Sequence, residues 1–427
     1  MDNEELKEEP QLLPKPRRNK FKAGVITGVF ATLLAGIVLF VFFTTITGTV
    51  ISVQPGGSAE NPASVLSGKV LSKINELIGY INLYFYEDVE DERLANGIYS
   101  GLLSSLDDRY TDYYTEQEYA DLQIAATQNY CGIGAGLSQD RESMVVTVSR
   151  VYEGTPAEAA GLKKDDVLVM VEDIESTSME LSDLVTHIRG EEGTAVHLQV
   201  LREGEADYLE FDVRRENIDL PTVEYKLLGD RIGYIHILEF GAPTIKQFDA
   251  AVKALEGQGM QALLLDVRDN PGGMINAVNG VLDAMLPEGT MVYTQDKYGQ
   301  RQTYSSDEEH QMHYPTAVLI NGNSASASEI LAGAIRDFEY GTLIGTKTFG
   351  KGVVQSIIPL SDGDAIKLTT AKYYTPKGEN IHGTGIEPDI ELKYEYLGEA
   401  QGEYDELKDN QVQKAIEILE KEISAQQ

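Results

Sequence analysis

Two short segments, Ala262 to Val267 and Thr316 to Ile320, are apolar at nearly every position. A strand with one wet face alternates apolar and polar residues, so uninterrupted runs of this length read as strands buried on both faces. From Ile218 onward such runs alternate with helical segments. Arg231 to Ile237 and Thr342 to Ile344 complete the series. That alternation predicts βαβ units and a parallel sheet, hence an α/β domain.

The chain has 427 residues, 42% of them hydrophobic, with 40 Gly and 14 Pro, which is enough for two or three packed domains. A formal charge of -34 argues against a nucleic-acid partner, whose phosphates it would repel. The single cysteine, Cys131, excludes an intramolecular disulfide and a Cys-based zinc site. His310 and His313 lie three apart in a polar, looped stretch without ordered carboxylates, so no metal and no cofactor are expected.

Lys15, Arg17, Arg18, Lys20 and Lys22 precede Ala23 to Ile46, an uncharged apolar segment of 24 residues. At about 1.5 Å per residue it is long enough to span a hydrocarbon core of about 30 Å. The basic flank puts the tail in the cytoplasm and everything after it outside. A cleaved signal peptide is the rival reading, but its apolar run is usually only about 7–15 residues. A retained single-pass anchor in the cell membrane is the expectation. Beyond it, 47–63 reads as a linker and 64–118 as a helical arm, the second helical run of which ends at Asp107-Asp108-Arg109-Tyr110 with no sign of chemistry.

Residues 119–215 read as a small α/β module. Gly132-Ile133-Gly134-Ala135-Gly136-Leu137 leads into a strand, and Gly154 to Leu162 and Asp165 to Val171 follow. The glycine stretch lacks the Lys-Ser/Thr of a phosphate loop. This order, with "GTPAEAAGLKKDDVL", resembles a PDZ domain. The resemblance implies that Gly132 to Leu137 offers backbone N–H groups to a peptide's terminal carboxylate while the peptide adds as a strand. Arg189, just after the module's helix, is placed to reach a carboxylate or carbonyl, in a bound peptide or across a domain interface; a solvated Arg beside Glu191 and Glu192 is the alternative.

Two further motifs carry chemistry. Asn323-Ser324-Ala325-Ser326-Ala327-Ser328-Glu329 joins the strand Thr316–Ile320 to a helix, which exposes a serine hydroxyl near a helix N-terminus. A hydroxyl needs a neighbouring base, and Lys351 in Thr348-Phe349-Gly350-Lys351-Gly352 is the candidate. The three serines could instead simply cap the helix. At the end of the strand Ala262–Val267, Arg268-Asp269-Asn270-Pro271-Gly272-Gly273 places two glycine amides where an oxyanion would form.

Four stretches, "DVRDNPGG", "NSASASEILAGAIRD", "GTKTFGKGVVQ" and "TPKGENIHGTGIEPDI", in this order resemble the carboxyl-terminal processing peptidases, tail-specific serine proteases with a crotonase/ClpP-like catalytic fold. The likeness covers about residues 64–424. It implies Ser326 as nucleophile, Lys351 as general base, Gln355 as the residue that orients Lys351, and an oxyanion hole from the Ala327 amide and that of Gly272 or Gly273. Lys351 would have to be neutral, and burial among apolar flanks that hold no carboxylate would achieve this.

The expected chain is thus a multi-domain α/β protein: tail 1–22, membrane helix 23–46, linker 47–63, arm 64–118, PDZ-like module 119–215, catalytic domain 216–398 and C-terminal helical segment 399–427. Its partners would be proteins or peptides bound through their C-termini, with a homodimer as one use of the arm and the C-terminal helix. A non-catalytic peptide-binding scaffold is the competing function.

Overall fold

The computed structural model describes residues 65–307, 311–399 and 404–426. The expected tail, membrane helix and linker lie outside these residues, and no helix among the described residues is long and apolar enough to cross a membrane. The described residues fall into two units, 65–89 and 90–426. The first contributes α1 (Gly68–Tyr84).

The second unit opens with α2 (Asp91–Ser104), β1 (Asp112–Tyr114) and α3 (Glu116–Thr127). Thr115 and Glu118 close a reciprocal capping box that fixes where α3 begins. The expectation of a helical arm through residue 118 is corrected here. Asp112–Tyr114 is extended and pairs antiparallel with Lys367–Ala365, because a sheet far along the chain offers it a free edge.

The next module enters and leaves on a two-stranded stem, β2 (Asn129–Gly132) against β9 (Glu216–Asp219). Between them lie β3 (Ala135–Gln139), β4 (Val146–Val151), α4 (Pro156–Ala160), β5 (Val167–Val171), β6 (Ile174–Glu175), α5 (Leu181–Ile188), β7 (Ala195–Leu201) and β8 (Leu209–Arg214). The sheet runs β3-β4-β5-β7-β8, and its inward residues, Val148, Leu168, Val196 and Leu198 among them, close on Leu184 and Ile188 of α5.

The third part follows as β10 (Val223–Leu228), β11 (Ile232–Ile237), α6 (Thr244–Gly257), β12 (Ala262–Asp266), α7 (Ile275–Met285), β13 (Gly289–Asp296), β14 (Arg301–Ser306), β15 (Thr316–Ile320), α8 (Ala327–Asp337), β16 (Thr342–Gly345), β17 (Val353–Pro359), β18 (Ala365–Tyr374), β19 (Ile390–Glu391) and α9 (Asn410–Gln426). Its main sheet is β10-β11-β12-β15-β16-β19, parallel except for β10. Leu263, Leu265, Val318 and Ile320 point into one core with α6, α7 and α8, while Leu264, Ala317 and Leu319 point into a second core with α9. Covering both faces is what the uninterrupted apolar runs require. A second sheet, built around β18, holds β17, β13 and β1.

Candidate active site

The segment after β15 must turn sharply into α8, and its serines divide the work. Ser324 Oγ donates to the Val267 carbonyl at 2.7 Å, and Ser328 Oγ to the Asn270 carbonyl at 3.0 Å. Both are fully buried, and they stitch the serine loop to the loop after β12. Ser326 stays partly exposed at the N-cap of α8, with φ 55° and ψ -111°. A non-glycine residue held at positive φ is strained, and such strain persists only where surrounding contacts impose it.

One such contact is Glu329. Its fully buried carboxylate accepts the Ser326 amide at 2.9 Å and the Lys351 amide at 2.8 Å through Oε2. Through Oε1 it accepts Thr348 Oγ1 at 2.6 Å and the Gly350 amide at 2.7 Å. The Ser326 turn and the Lys351 loop, 25 positions apart in the sequence, therefore share one anchor.

The Gly272–Gly273 loop lies directly against the serine. A Cβ on Gly272 would come within 2.8 Å of Ser326 Cβ and 2.9 Å of the Ala327 nitrogen. The two glycines differ in what their amides do. Gly272 N–H donates to Asn270 Oδ1 at 2.8 Å, so it is already engaged. Among the described residues, neither the Gly273 nor the Ala327 amide has a hydrogen-bond acceptor, and Gly273 is exposed. Of the alternatives left by sequence, Gly273 with Ala327 is the pair whose amides are not already engaged.

Burial pushes the Lys351 ammonium below the usual lysine range, with the positive charges of Lys367 and Arg109 acting the same way and Glu329 and Asp108 opposing. Local sequence showed apolar flanks without a carboxylate, yet the fold brings these two carboxylates near. Among the described residues no hydrogen bond joins Lys351 Nζ to Ser326 Oγ. Gln355, on β17, donates to Thr369 Oγ1 at 3.4 Å, so its partner here is Thr369 and not the Lys351 it was expected to orient. Apo sites commonly hold such groups in looser geometry than the substrate complex does.

Sequence reading missed two residues. Glu329 was quoted only as part of a motif, although its place three residues after Ser326 is the spacing of a capping box. Tyr110 was assigned to an inert helical arm, yet Lys351 Nζ lies 4.9 Å from its ring centre. An open cleft of about 830 Å³, lined in part by Asp108, Arg109, Tyr110, Phe349 and His382, borders this contact.

In the α/β module, a groove of about 160 Å³ runs between β3 and α5, lined by Gly132, Ile133, Ala135, Leu137, Val185 and Arg189 among others. Gly134 takes φ +80° and packs against Thr155, where any Cβ would clash at 2.3 Å; Gly136 lies on β3 beside Ser149. Arg189 stacks 5.4 Å over the Tyr130 ring and pairs with Asp121 of α3 at 3.2 Å. It thus reaches out of its own module, and across to an acidic side chain.

Known protein families match two stretches of the chain. The model of peptidase family S41 matches residues 231–392, and that of the PDZ domain matches residues 147–202. A carboxyl-terminal-processing protease of Synechocystis sp. is 35% identical over 74% of this chain and 75% of its own length. Carboxy-terminal processing protease CtpB of Bacillus subtilis is 33% identical over 86% and 78%. A solved photosystem II D1 C-terminal processing protease, 29% identical, covers 77% of this chain and 88% of its own with a TM-score of 0.45. The chain is a serine peptidase with a PDZ domain, and it belongs to peptidase family S41, the carboxyl-terminal processing proteases.

Proposed function

We propose that this peptidase is a membrane-anchored endopeptidase that cuts extracytoplasmic proteins or peptides near their C-termini through a Ser-Lys acyl-enzyme. The observation that carries the reading is the shared Glu329 anchor, which holds Ser326 and Lys351 by their backbones beside the unengaged Gly273 and Ala327 amides. Neutral Lys351 takes the Ser326 proton as Oγ attacks the peptide carbonyl, and the two amides receive the developing oxyanion. Lys351 then protonates the leaving amine, and water releases the acyl group. Gln355, four residues along from Lys351, orients the amine once substrate draws it from Thr369.

Substrate C-termini are taken up by the groove of the PDZ domain, with the Gly132–Leu137 loop on the carboxylate. Arg189 exchanges Asp121 for the peptide, and the domain pair shifts towards its active arrangement, which the ligand favours only by binding that state more tightly. The 23–46 segment anchors the chain with its N-terminus in the cytoplasm. Ile98 and Leu102 of α2 are exposed apolar residues that suit a second copy in a homodimer.

The test uses the soluble ectodomain and an unstructured protein with an apolar C-terminus. Wild type cleaves it and Ser326→Ala does not; equal cleavage by both removes the assignment. A reporter with an amidated C-terminus should be cut more slowly than its free-carboxylate twin. Sedimentation of the same ectodomain reads the oligomeric state.

A further inference from the structure

The Ser-Lys reading leaves one side chain at the site without a role, and the fold goes to some length to put it there. Tyr110 lies in the loop between α2 and β1, about 240 positions before the lysine it touches. Asp108 shapes that loop: its Oδ1 accepts the Tyr110 amide at 3.2 Å and its Oδ2 accepts Thr111 Oγ1 at 2.7 Å. Thr111 Oγ1 in turn accepts the Thr369 amide of β18 at 3.3 Å, and the β1–β18 register locks the next three residues. The His382 ring meets Tyr110 edge-on at 6.4 Å, and Arg109 lies 5.2 Å over it. These contacts and the hydrogen bonds of its loop hold the ring with its face towards Lys351 Nζ.

We propose that Tyr110 is a positioning residue of the reaction, whose ring face holds Lys351 Nζ and receives the ammonium that forms there when Ser326 gives up its proton. The proposal rests on the Ser-Lys reading and adds the group that stabilises the base in its charged form. As the Oγ–carbon bond forms, the Oγ–H proton passes to the Nζ lone pair, and the positive charge created at Nζ faces the negative face of the Tyr110 π-system. The ammonium then gives the proton to the leaving amine and the charge disappears. An interaction present only while the charge exists lowers the barrier without binding the ground state. This is needed because the other groups facing Nζ are divided: Lys367 of β18 and Arg109 repel the ammonium, and Glu329 of α8 and Asp108 attract it.

The experiment compares Tyr110→Leu and Tyr110→Phe with wild type in the pH dependence of kcat/KM on the unstructured substrate. Leu keeps the bulk and loses the π-face, so the plateau should fall roughly three- to thirty-fold. The rising limb should move to lower pH by about 0.4 to 1.5 units, since the ammonium has lost a stabilising contact. Tyr110→Phe should restore both most of the way. A merely structural role predicts otherwise: letting water onto Nζ moves the limb to higher pH, and that result, or an unmoved limb, overturns the proposal. In a Ser326→Ala background, the pH dependence of Lys351 labelling by an amine-reactive probe reads the same shift with no turnover required. An enzyme indifferent to Lys351→Ala overturns the Ser-Lys reading itself, a result distinct from an unmoved Tyr110→Leu profile, which overturns the Tyr110 proposal alone.

Discussion

Glu329 Oε2 accepts the backbone amide of Lys351 at 2.8 Å, so the proposed base is anchored through its main chain and not through its amine. The same oxygen takes the Ser326 amide, and the carboxylate is fully buried. A buried carboxylate is tolerated when donors surround it, and here four do. The relative placement of Ser326 and Lys351 thus depends on a residue to which the proposed mechanism gives no chemical step.

Glu329→Gln should therefore cost both stability and rate. Its NH2 group would face amides that need an acceptor, and each buried donor left unpaired costs about 1–3 kcal/mol. Urea unfolding should show a loss in that range. Peptidase activity of the folded fraction should drop about a hundred-fold, since small displacements of reacting groups are expensive. Unchanged turnover would mean the two loops hold their geometry without the shared anchor.

The acid limb of the activity profile should report Lys351. Its ammonium is destabilised by burial and then by Lys367, so the neutral base forms at lower pH than for free lysine, and activity rises with pH through that depressed value. Lys367→Met removes a like charge, stabilises the ammonium and should move the limb to higher pH. Lys351→Arg should be inactive at every pH, because a guanidinium does not deprotonate. Residual activity in that variant would assign the base elsewhere.

Substitution at the glycine pair should separate the rate from the fold. A Cβ on Gly272, at φ +108°, would meet the Ala325 oxygen at 2.6 Å and push on Ser326; one on Gly273, at φ +130°, would meet the Phe240 oxygen at 2.3 Å. Gly273→Ala should lose about 10²–10³ in kcat, the scale of one oxyanion donor, and Gly272→Ala should lose activity by displacing Ser326. Circular dichroism and a thermal melt check that the sheet survives. Full activity in Gly273→Ala would exclude its amide from the oxyanion site.

The Arg189–Asp121 pair should weigh against peptide capture. Both side chains are partly exposed, and such pairs contribute about 0–1 kcal/mol. Asp121→Asn should therefore tighten binding of a C-terminal peptide by at most about fivefold, read by fluorescence anisotropy, and Arg189→Ala should weaken it. Equal affinities in both variants would leave Arg189 as a support for the Tyr130 ring.

How much of this was legible depended on the range of the forces involved. Ala262–Val267 and Thr316–Ile320 announced themselves because both faces of each strand are covered, by α6 to α8 on one side and α9 on the other. The glycine loop, the serine turn and Lys351 stood out because each is a local break in an otherwise regular pattern. β1 did not, since three residues carry no period and their partner strand lies some 250 positions away. Among three serines, only tertiary hydrogen bonds from Ser324 and Ser328 to the neighbouring loop left Ser326 as the exposed one.

By itself the sequence determined that a parallel sheet would form and that the glycine, serine and lysine loops would break its regular pattern, because apolar periodicity and backbone-breaking residues act over a few positions. Only the tertiary structure decided which amide stays open at the Gly272–Gly273 loop, which carboxylate ties Ser326 to Lys351, and which ring lies on the amine. Those depend on groups far apart in the chain meeting within about 3 to 5 Å, a distance set by packing and strand register, which no local pattern encodes.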